Sequence, residues 1–152
     1  MTDVDEKPVR KRHHLPRECY QGGDTFFITV CTAERQTILT TEPLCGVLVS
    51  FLETLKDTND GPVHAYVVMP DHLHVLLSGS DDVISWMRWF KARVTFHAKK
   101  KGCAGEIWQR GFYDEGVRKI EKSREILRYM SDNPVEAGLV ERPGEWPHKW
   151  GC

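Results

Sequence analysis

A pair of histidines, His72 and His74, is separated by a single leucine. Apolar residues follow the pair, so we predict a β-strand here. Alternate side chains of a strand point to the same face, so both imidazoles lie side by side while Leu73, Val75 and Leu77 face a helix-covered core. Two neighbouring imidazoles are suitable ligands for a metal ion. The alternative is a pair of ordinary surface histidines on a half-exposed strand.

A tyrosine and an asparagine, Tyr129 and Asn133, lie four residues apart near the end of a predicted helix. At this spacing two side chains share one helix face, one turn apart. A tyrosine ring can pack on a core while its hydroxyl reaches a cleft, and an asparagine oxygen is a suitable ligand for a divalent ion. The alternative is that Tyr129 packs in the core and Asn133 only caps the helix before Pro134.

The segment from Val83 to Gly105 contains no acidic residue and is predicted to hold a helix. Its cations and one tryptophan lie on the arc away from the apolar stripe. These residues are Arg88, Trp89, Arg93, Lys99 and Lys100. A tryptophan among cations is typical of surfaces that stack bases and contact the phosphates of single strands. A solvated basic face with a partly packed tryptophan is the alternative.

A further aromatic segment, Trp108–Asp114, includes Gln109 and Arg110. These two polar side chains can contact DNA or hold a turn, and their spacing does not decide between the two. The chain has no P-loop, no G-x-G-x-x-G motif, no G-x-S-x-G nucleophile elbow and no H-E-x-x-H motif. The enzyme classes that depend on those motifs are therefore not expected.

The hydrophobic pattern predicts the element order β-α-β-β-α-β-α. Predicted strands span 25–32, 63–69 and 72–78, with a fourth around Phe112. Predicted helices begin after Pro43 and span 83–101 and 119–132. The last helix would turn Ile120, Ile126, Leu127 and Met130 inward and end at Asn133-Pro134, because a residue before proline avoids the helical region. This order favours an α+β domain in which helices pack on an antiparallel sheet.

The length of 152 residues fits one domain. We expect a basic, flexible N-terminal tail over 1–19 and a single domain over 20–152. No apolar run approaches the roughly 18–20 residues of a membrane span, and the N-terminus lacks the apolar region of a secretory signal. The five cysteines form no C-x-x-C pair, which favours a reducing cytoplasm over a disulfide framework.

The overall net charge of −1 conceals an uneven distribution. Residues 1–82 contain 7 basic and 13 acidic residues, a net charge of −6, whereas residues 83–152 contain 14 and 9, a net charge of +5. A basic half of this kind is compatible with binding to phosphate groups. It is also compatible with an ordinary solvated surface.

Three segments in this order resemble one family. They are M-P-D-H-L-H-V-L-L from residue 69, W-Q-R-G-F-Y-D from residue 108 and R-Y-M-S-D-N-P-V-E-A-G-L-V from residue 128. Together they resemble the HUH-class single-tyrosine transposases, and within that class the REP-associated tyrosine transposases, which are related to small insertion-sequence transposases. The resemblance extends over about Tyr20 to Pro147, nearly the whole domain.

This resemblance implies a ferredoxin-like antiparallel sheet flanked by α-helices. It implies that Tyr129 is the catalytic nucleophile and that His72, His74 and Asn133 bind Mg²⁺ or Mn²⁺. The implied reaction is cleavage and rejoining of single-stranded or hairpin DNA through a 5′-phosphotyrosine intermediate. The implied location is the cytoplasm, in association with the nucleoid and not with a membrane, and the implied state is a monomer or a homodimer.

With DNA as the expected partner, Arg110, Arg118 and Lys122 would add phosphate contacts to those of the basic helix. One departure from the family is Glu115, since many members have histidine directly after W-Q-R-G-F-Y-D. This departure leaves open a relative that binds hairpin DNA but cleaves weakly or not at all. A third possibility is a metal-dependent hydrolase that uses water as the nucleophile, which would leave Tyr129 without a role.

Overall fold

The computed structural model describes residues 25–56, 62–79 and 82–152. The predicted tail over 1–19 and the start of the predicted domain over 20–24 lie outside these residues. The described strands are β1 (Thr25–Cys31), β2 (Val63–Val68), β3 (His72–Ser78), β4 (Tyr113–Val117) and β5 (Lys149–Trp150). The described helices are α1 (Leu44–Thr54), α2 (Val83–Lys100) and α3 (Ile120–Glu136).

The strands form one antiparallel sheet in the order β4-β1-β3-β2-β5 within the described part of the chain. The predicted α+β class is therefore confirmed. β3 occupies the centre and pairs with both β1 and β2. β4 and β5 are the edge strands. None of the described helices combines the length and apolar composition needed to span a bilayer.

The sheet is covered on both faces, which explains why its central strands are buried along nearly their whole length. On one face, Leu73, Val75 and Leu77 of β3 pack in a single cluster with buried residues of α1 and α2. On the other face, Leu76 packs with buried residues of α3, among them Met130. Because strand side chains alternate, His72 and His74 lie on the α3 face.

Helix α3 continues beyond the predicted stop at Asn133-Pro134 and ends at Glu136. That prediction was wrong because Pro134 lies in the last turn, where it removes only one helical hydrogen bond, and its ring is buried. Backbone hydrogen bonds from Ala137 N to Asn133 O and from Leu139 N to Pro134 O satisfy the carbonyl groups at the end of the helix. Asn133 is therefore helical and lies one full turn beyond Tyr129.

Three further details differ from the prediction. Ile120 is 64% exposed rather than inward-facing, since it begins the helix and lies about 120° around the axis from the buried Ile126. The fourth strand begins at Tyr113, after the buried Phe112. The short strand β5 was not predicted, because two residues carry no periodicity.

Polar contacts attach α3 to both edges of the sheet. Near its start, Lys122 Nζ lies 3.1 Å from a carboxylate oxygen of Glu115 on β4. Further along, Lys149 Nζ on β5 donates to Ser131 Oγ at 3.1 Å. Because β4 and β5 are opposite edges, α3 crosses the sheet from one side to the other, and its middle lies over the central strands.

Lys91 of α2 holds the loop that precedes β4. Its Nζ donates to the carbonyl oxygens of Gln109 at 2.9 Å and Gly111 at 2.6 Å. Burial penalises the charged ammonium and lowers the pKa of Lys91 to about 8. Gln109 N in turn donates to Cys31 O, which attaches the same loop to the end of β1.

We expect the substitution Lys91→Met to change how stability depends on pH. Between pH 8 and about 10.5 the unfolded chain holds the lysine proton more tightly than the folded chain, so this group makes the free energy of unfolding rise with pH, by at most about 1.4 kcal/mol per unit. The variant lacks that contribution. Urea denaturation at pH 7 to 10 measures the free energy of unfolding of both proteins, with the substitution of the exposed Lys101, Lys101→Met, as a control. A difference between wild type and Lys91→Met that stays constant with pH would contradict the lowered pKa of Lys91.

Candidate active site

The two histidines of β3 lie together beneath α3. Their ring centroids are 4.7 Å apart, with the ring planes at 73°. His72 is 8% exposed and His74 is 1% exposed. This burial excludes the alternative of two surface histidines on a half-exposed strand, because α3 covers the face on which they lie.

His74 is enclosed by β1 and α3. Its Nδ1 lies 2.9 Å from the hydroxyl of Thr29, its cross-strand partner on β1. The ring of Phe27 stacks against it at a centroid distance of 5.1 Å. Burial, and then the charge of nearby His72, hold the pKa of His74 well below its ordinary value. The imidazole is therefore neutral at pH 7, with one nitrogen lone pair available.

The other nitrogen of His74 is an unsatisfied polar atom. Its Nε2 is buried and has no hydrogen-bond partner among the residues that the structure describes. An unpaired buried polar atom costs free energy, so native proteins rarely contain one without a functional reason. An electron-pair acceptor such as a metal ion would satisfy this atom.

The environment of His72 dictates its tautomer. Its Nδ1 lies 2.8 Å from Oδ1 of Asp71, and a carboxylate only accepts, so the Nδ1 proton is donated to it. The lone pair then resides on Nε2, which lies 3.3 Å from Oδ1 of Asn133. Both atoms are acceptors in this tautomer, so the contact is not a hydrogen bond, and a shared cation would satisfy both. Burial raises the pKa of Asp71, but the His72 hydrogen bond and the charge of Arg35 outweigh this and bring the pKa below its ordinary value.

Helix α3 brings Tyr129 and Asn133 to the histidines. The half-buried Tyr129 ring stands 5.5 Å from the His74 ring, at an interplanar angle of 65°. It also meets Phe27 edge-on at 6.1 Å. The four residues predicted as nucleophile and ligands therefore lie in one cluster, and their roles stay predictions.

The cluster fits a divalent ion. Two imidazole nitrogens and one amide oxygen come from β3 and α3, and His74 Nε2 has no hydrogen-bond partner among the described residues. No group of three His, Cys, Asp or Glu side chains suited to a metal occurs within residues 25–56, 62–79 and 82–152. A metal site here therefore depends on Asn133 as its third protein ligand.

The predicted DNA-contact residues of α2 are exposed but lie far from this cluster. Trp89 is 43% exposed, and its ring contacts Phe51 of α1 at 5.3 Å. The buried side of α2 packs on the sheet face opposite the histidines. The whole group therefore lies on the other side of the sheet from Tyr129; it comprises Arg88, Trp89, Arg93, Lys99 and Lys100.

The other predicted contacts surround edge strand β4. Arg110 lies in the loop before this strand. A backbone hydrogen bond from Gln109 N to Cys31 O attaches this loop to β1, and Cys31 is the cross-strand partner of His72. Arg118 directly follows the strand and is exposed. Lys122 forms the ion pair with Glu115, whose register opposite Phe27 places it on the α3 face. Arg110 and Arg118 therefore flank the two ends of β4, and the Lys122 contact with Glu115 lies on the α3 face, the face that carries the histidines.

Sequence reasoning missed four residues that support the site. Thr29 and Phe27 lie in a strand whose register cannot be known from sequence. Arg35 contacts Asp71 Oδ2 from Nε at 3.1 Å and from a terminal nitrogen at 2.9 Å. Asp71 is the fourth, and its position next to His72 was a signal that it could bind the ring.

Comparison with known proteins gives consistent results. The family profile described as "Transposase IS200 like" matches residues 25–133. The chain is 30% identical over 134 residues to the REP-associated tyrosine transposase of Escherichia coli K12, covering 86% of this chain and 78% of that protein.

Solved structures agree with these sequence matches. One, a REP-associated tyrosine transposase bound to a REP hairpin, has a TM-score of 0.69 and 27% identity, covering 86% of this chain and 78% of that one. A crystal structure from Deinococcus radiodurans shares the fold with a TM-score of 0.52 and 19% identity, over 74% of this chain and 92% of that one.

We expect Thr29→Val to lower the free energy of unfolding by about 1–3 kcal/mol, because it leaves Nδ1 of the buried His74 without its partner. Urea denaturation at pH 7 measures this change. Thr41→Val is the matched control, since the Thr41 hydroxyl bonds to Ile38 O in an exposed setting, and we expect a change within about 0.5 kcal/mol. Equal effects of the two substitutions would show that the Thr29–His74 bond contributes little.

Proposed function

This chain belongs to the family of IS200-like transposases, and from that premise we propose that it cleaves and rejoins single-stranded DNA beside a hairpin, with Tyr129 as the nucleophile. The observation that carries the proposal is the contact between the half-buried Tyr129 ring and the buried ring of His74. Neither a water-using hydrolase nor a passive binding module gives a role in the reaction to a tyrosine that lies against a buried imidazole.

The proposed reaction exchanges one phosphodiester bond for another. The phenolic oxygen of Tyr129 bonds to phosphorus and loses its proton, while the bond to the 3′ oxygen breaks and that oxygen takes up a proton. The products are a 5′-phosphotyrosine and a free 3′-hydroxyl. The linkage retains the phosphodiester, so the step is reversible and rejoining needs no nucleotide cofactor. A phenol with a pKa near ~10 is a weak nucleophile at neutral pH and requires assistance.

We propose that His72, His74 and Asn133 hold the metal ion, Mg²⁺ or Mn²⁺. When bound, such an ion would withdraw charge from a phosphate oxygen and so promote attack. Thr29 and Asp71 orient the two imidazoles so that a nitrogen lone pair of each is available. Two imidazoles with one amide also suit Zn²⁺ by affinity, so the choice of Mg²⁺ or Mn²⁺ follows from the family.

The two basic regions suggest a path for DNA. We propose that the α2 surface, defined by Arg88, Trp89, Arg93, Lys99 and Lys100, binds the hairpin on the face opposite the site. The single strand then passes the β4 edge, where Arg110, Arg118 and Lys122 contact its phosphates. The structural neighbour that holds a REP hairpin supports hairpin DNA as the partner.

A single chain brings the tyrosine and the histidines together, which supports a monomer as sufficient for catalysis, with a homodimer as the other possible assembly. The proposed location is the cytoplasm, with the nucleoid DNA as the substrate.

We expect Tyr129→Phe to bind a labelled single-stranded hairpin with unchanged affinity and to form no covalent protein–DNA adduct, because the nucleophilic oxygen is absent. Adducts are detected on a denaturing gel in the presence of Mg²⁺ or Mn²⁺. Tyr113→Phe is the control, since Tyr113 lies on the same sheet face, opposite Thr29, and should keep adduct formation.

Adduct formation by the Tyr129→Phe protein would refute the assignment of the nucleophile. A wild-type chain that binds the hairpin without any adduct would favour the binding-only alternative. Turnover without an adduct would favour the hydrolase.

We expect the double substitution Arg88→Ala/Arg93→Ala to weaken hairpin binding and to reduce its dependence on salt. Each lost phosphate contact lowers the slope of log affinity against log salt by about 0.7 to 0.9. Fluorescence anisotropy at several salt concentrations measures the slope. Arg142→Ala removes an exposed arginine that pairs with Glu145 and should leave the slope unchanged; a similar slope for all three proteins would exclude the α2 surface.

A further inference from the structure

Arg35, Asp71 and His72 form a continuous chain of contacts that ends at the candidate metal site. Arg35 donates to Oδ2 of Asp71 at 3.1 Å and 2.9 Å. The other carboxylate oxygen, Oδ1, accepts the Nδ1 proton of His72 at 2.8 Å. Each oxygen of Asp71 therefore has a separate partner, Arg35 on one side and His72 on the other.

The backbone around Arg35 is shaped for this contact. Glu34 and Arg35 both have a φ of 54°, in the left-handed region that non-glycine residues rarely adopt. The turn they form brings the chain back beside Asp71 after β1. Thr32 holds the end of β1 against Asp71, because its backbone N donates to Asp71 O at 3.0 Å and its hydroxyl donates to the same oxygen at 3.2 Å. Backbone strain of this kind persists only where the surroundings enforce it.

We propose that Asp71 keeps the His72 proton on Nδ1 and the lone pair on Nε2, and that Arg35 is the positioning residue that holds Asp71 in the orientation that does so. The importance of this tautomer rests on the proposed function, in which Nε2 binds the metal. The tautomer itself is a property of the chain alone.

The two histidines differ in how strictly their hydrogen-bond partners fix the tautomer. The partner of His74 is the hydroxyl of Thr29, which can donate or accept and so permits either tautomer. The partner of His72 is a carboxylate, which only accepts. Carboxylate–histidine–metal arrangements generally fix the ring in this way and increase ligand basicity. Control of the tautomer in this cluster is therefore concentrated in the Arg35–Asp71 pair.

The substitution Asp71→Asn provides a sharp test because the new amide has one acceptor and one donor end. Arg35 has only donors, so it would take the amide oxygen and leave the NH₂ group facing His72. That donor requires a lone pair on Nδ1, which moves the ring proton to Nε2. If Arg35 is also removed, the amide can rotate and present its oxygen to Nδ1 again.

The first measurement is the His72 tautomer in metal-free protein at pH 8, from the ¹⁵N chemical shifts of the two ring nitrogens. We expect Nδ1–H in the wild type and in Arg142→Ala, which removes a distant arginine–carboxylate pair. We expect Nε2–H in Asp71→Asn and a return towards Nδ1–H in Arg35→Ala/Asp71→Asn. An unchanged tautomer in Asp71→Asn, or no return in the double variant, would overturn the proposal.

The second measurement is Mn²⁺ affinity by calorimetry. We expect Asp71→Asn to weaken binding by about 10–100-fold, the usual effect of losing such a partner, and the double variant to bind more tightly than Asp71→Asn alone. A purely structural role for Arg35 predicts the opposite order, since a second loss would add to the first.

Failure of the proposed function is distinguishable from failure of this inference. If Tyr129→Phe still forms adducts, or if the wild type binds no Mn²⁺, the proposed function fails while the tautomer measurement still decides the role of Arg35. If the tautomer is insensitive to both substitutions, the positioning role is refuted whatever the metal or DNA assays show.

Discussion

Burial of two imidazoles between a sheet and a helix is the constraint on which this site depends. Imidazole nitrogens need partners in a low-dielectric interior, and burial keeps His74 neutral. Nδ1 of each ring has a hydrogen-bond partner, Thr29 for His74 and Asp71 for His72. Nε2 of His72 instead faces the acceptor oxygen of Asn133, and Nε2 of His74 has no hydrogen-bond partner among the described residues. The interior therefore tolerates the cost of unsatisfied ring nitrogens at the place where a ligand is expected.

The position of α3 follows from the same constraint. Apolar packing through Ile126 and Met130 attaches the helix to the sheet, and its polar contacts at the β4 and β5 edges set its direction. The continuation of the helix through Pro134 is what places the Asn133 oxygen 3.3 Å from His72 Nε2. A helix that ended before the proline would leave that side chain on a loop, without a fixed distance to the sheet. Buried packing of one proline ring thus contributes directly to the geometry of the site.

Much of this arrangement was predictable from sequence because it follows from local periodicity. Alternation along β3 placed His72 and His74 on one face, and the four-residue spacing placed Tyr129 and Asn133 on another. The α+β class followed from the element order. Contacts between segments distant in sequence could not be predicted. They include the register that sets Thr29 against His74, the turn that brings Arg35 to Asp71, and the burial that allows Pro134 within a helix. Each depends on packing between segments distant in sequence, which no local pattern specifies.

The opposite placement of the two basic regions follows from the alternation of β3 as well. Leu73, Val75 and Leu77 bury the face on which α2 lies, so the exposed side of α2 necessarily faces away from the histidines. DNA that contacts both regions must pass around an edge of the sheet, and β4 is the edge with cations at both of its ends. Under the proposed function, affinity and chemistry would be determined by different faces of one sheet. Substitutions on the exposed side of α2 would then alter binding without moving the imidazoles, whereas those on β1 or α3 would change the geometry around the imidazoles.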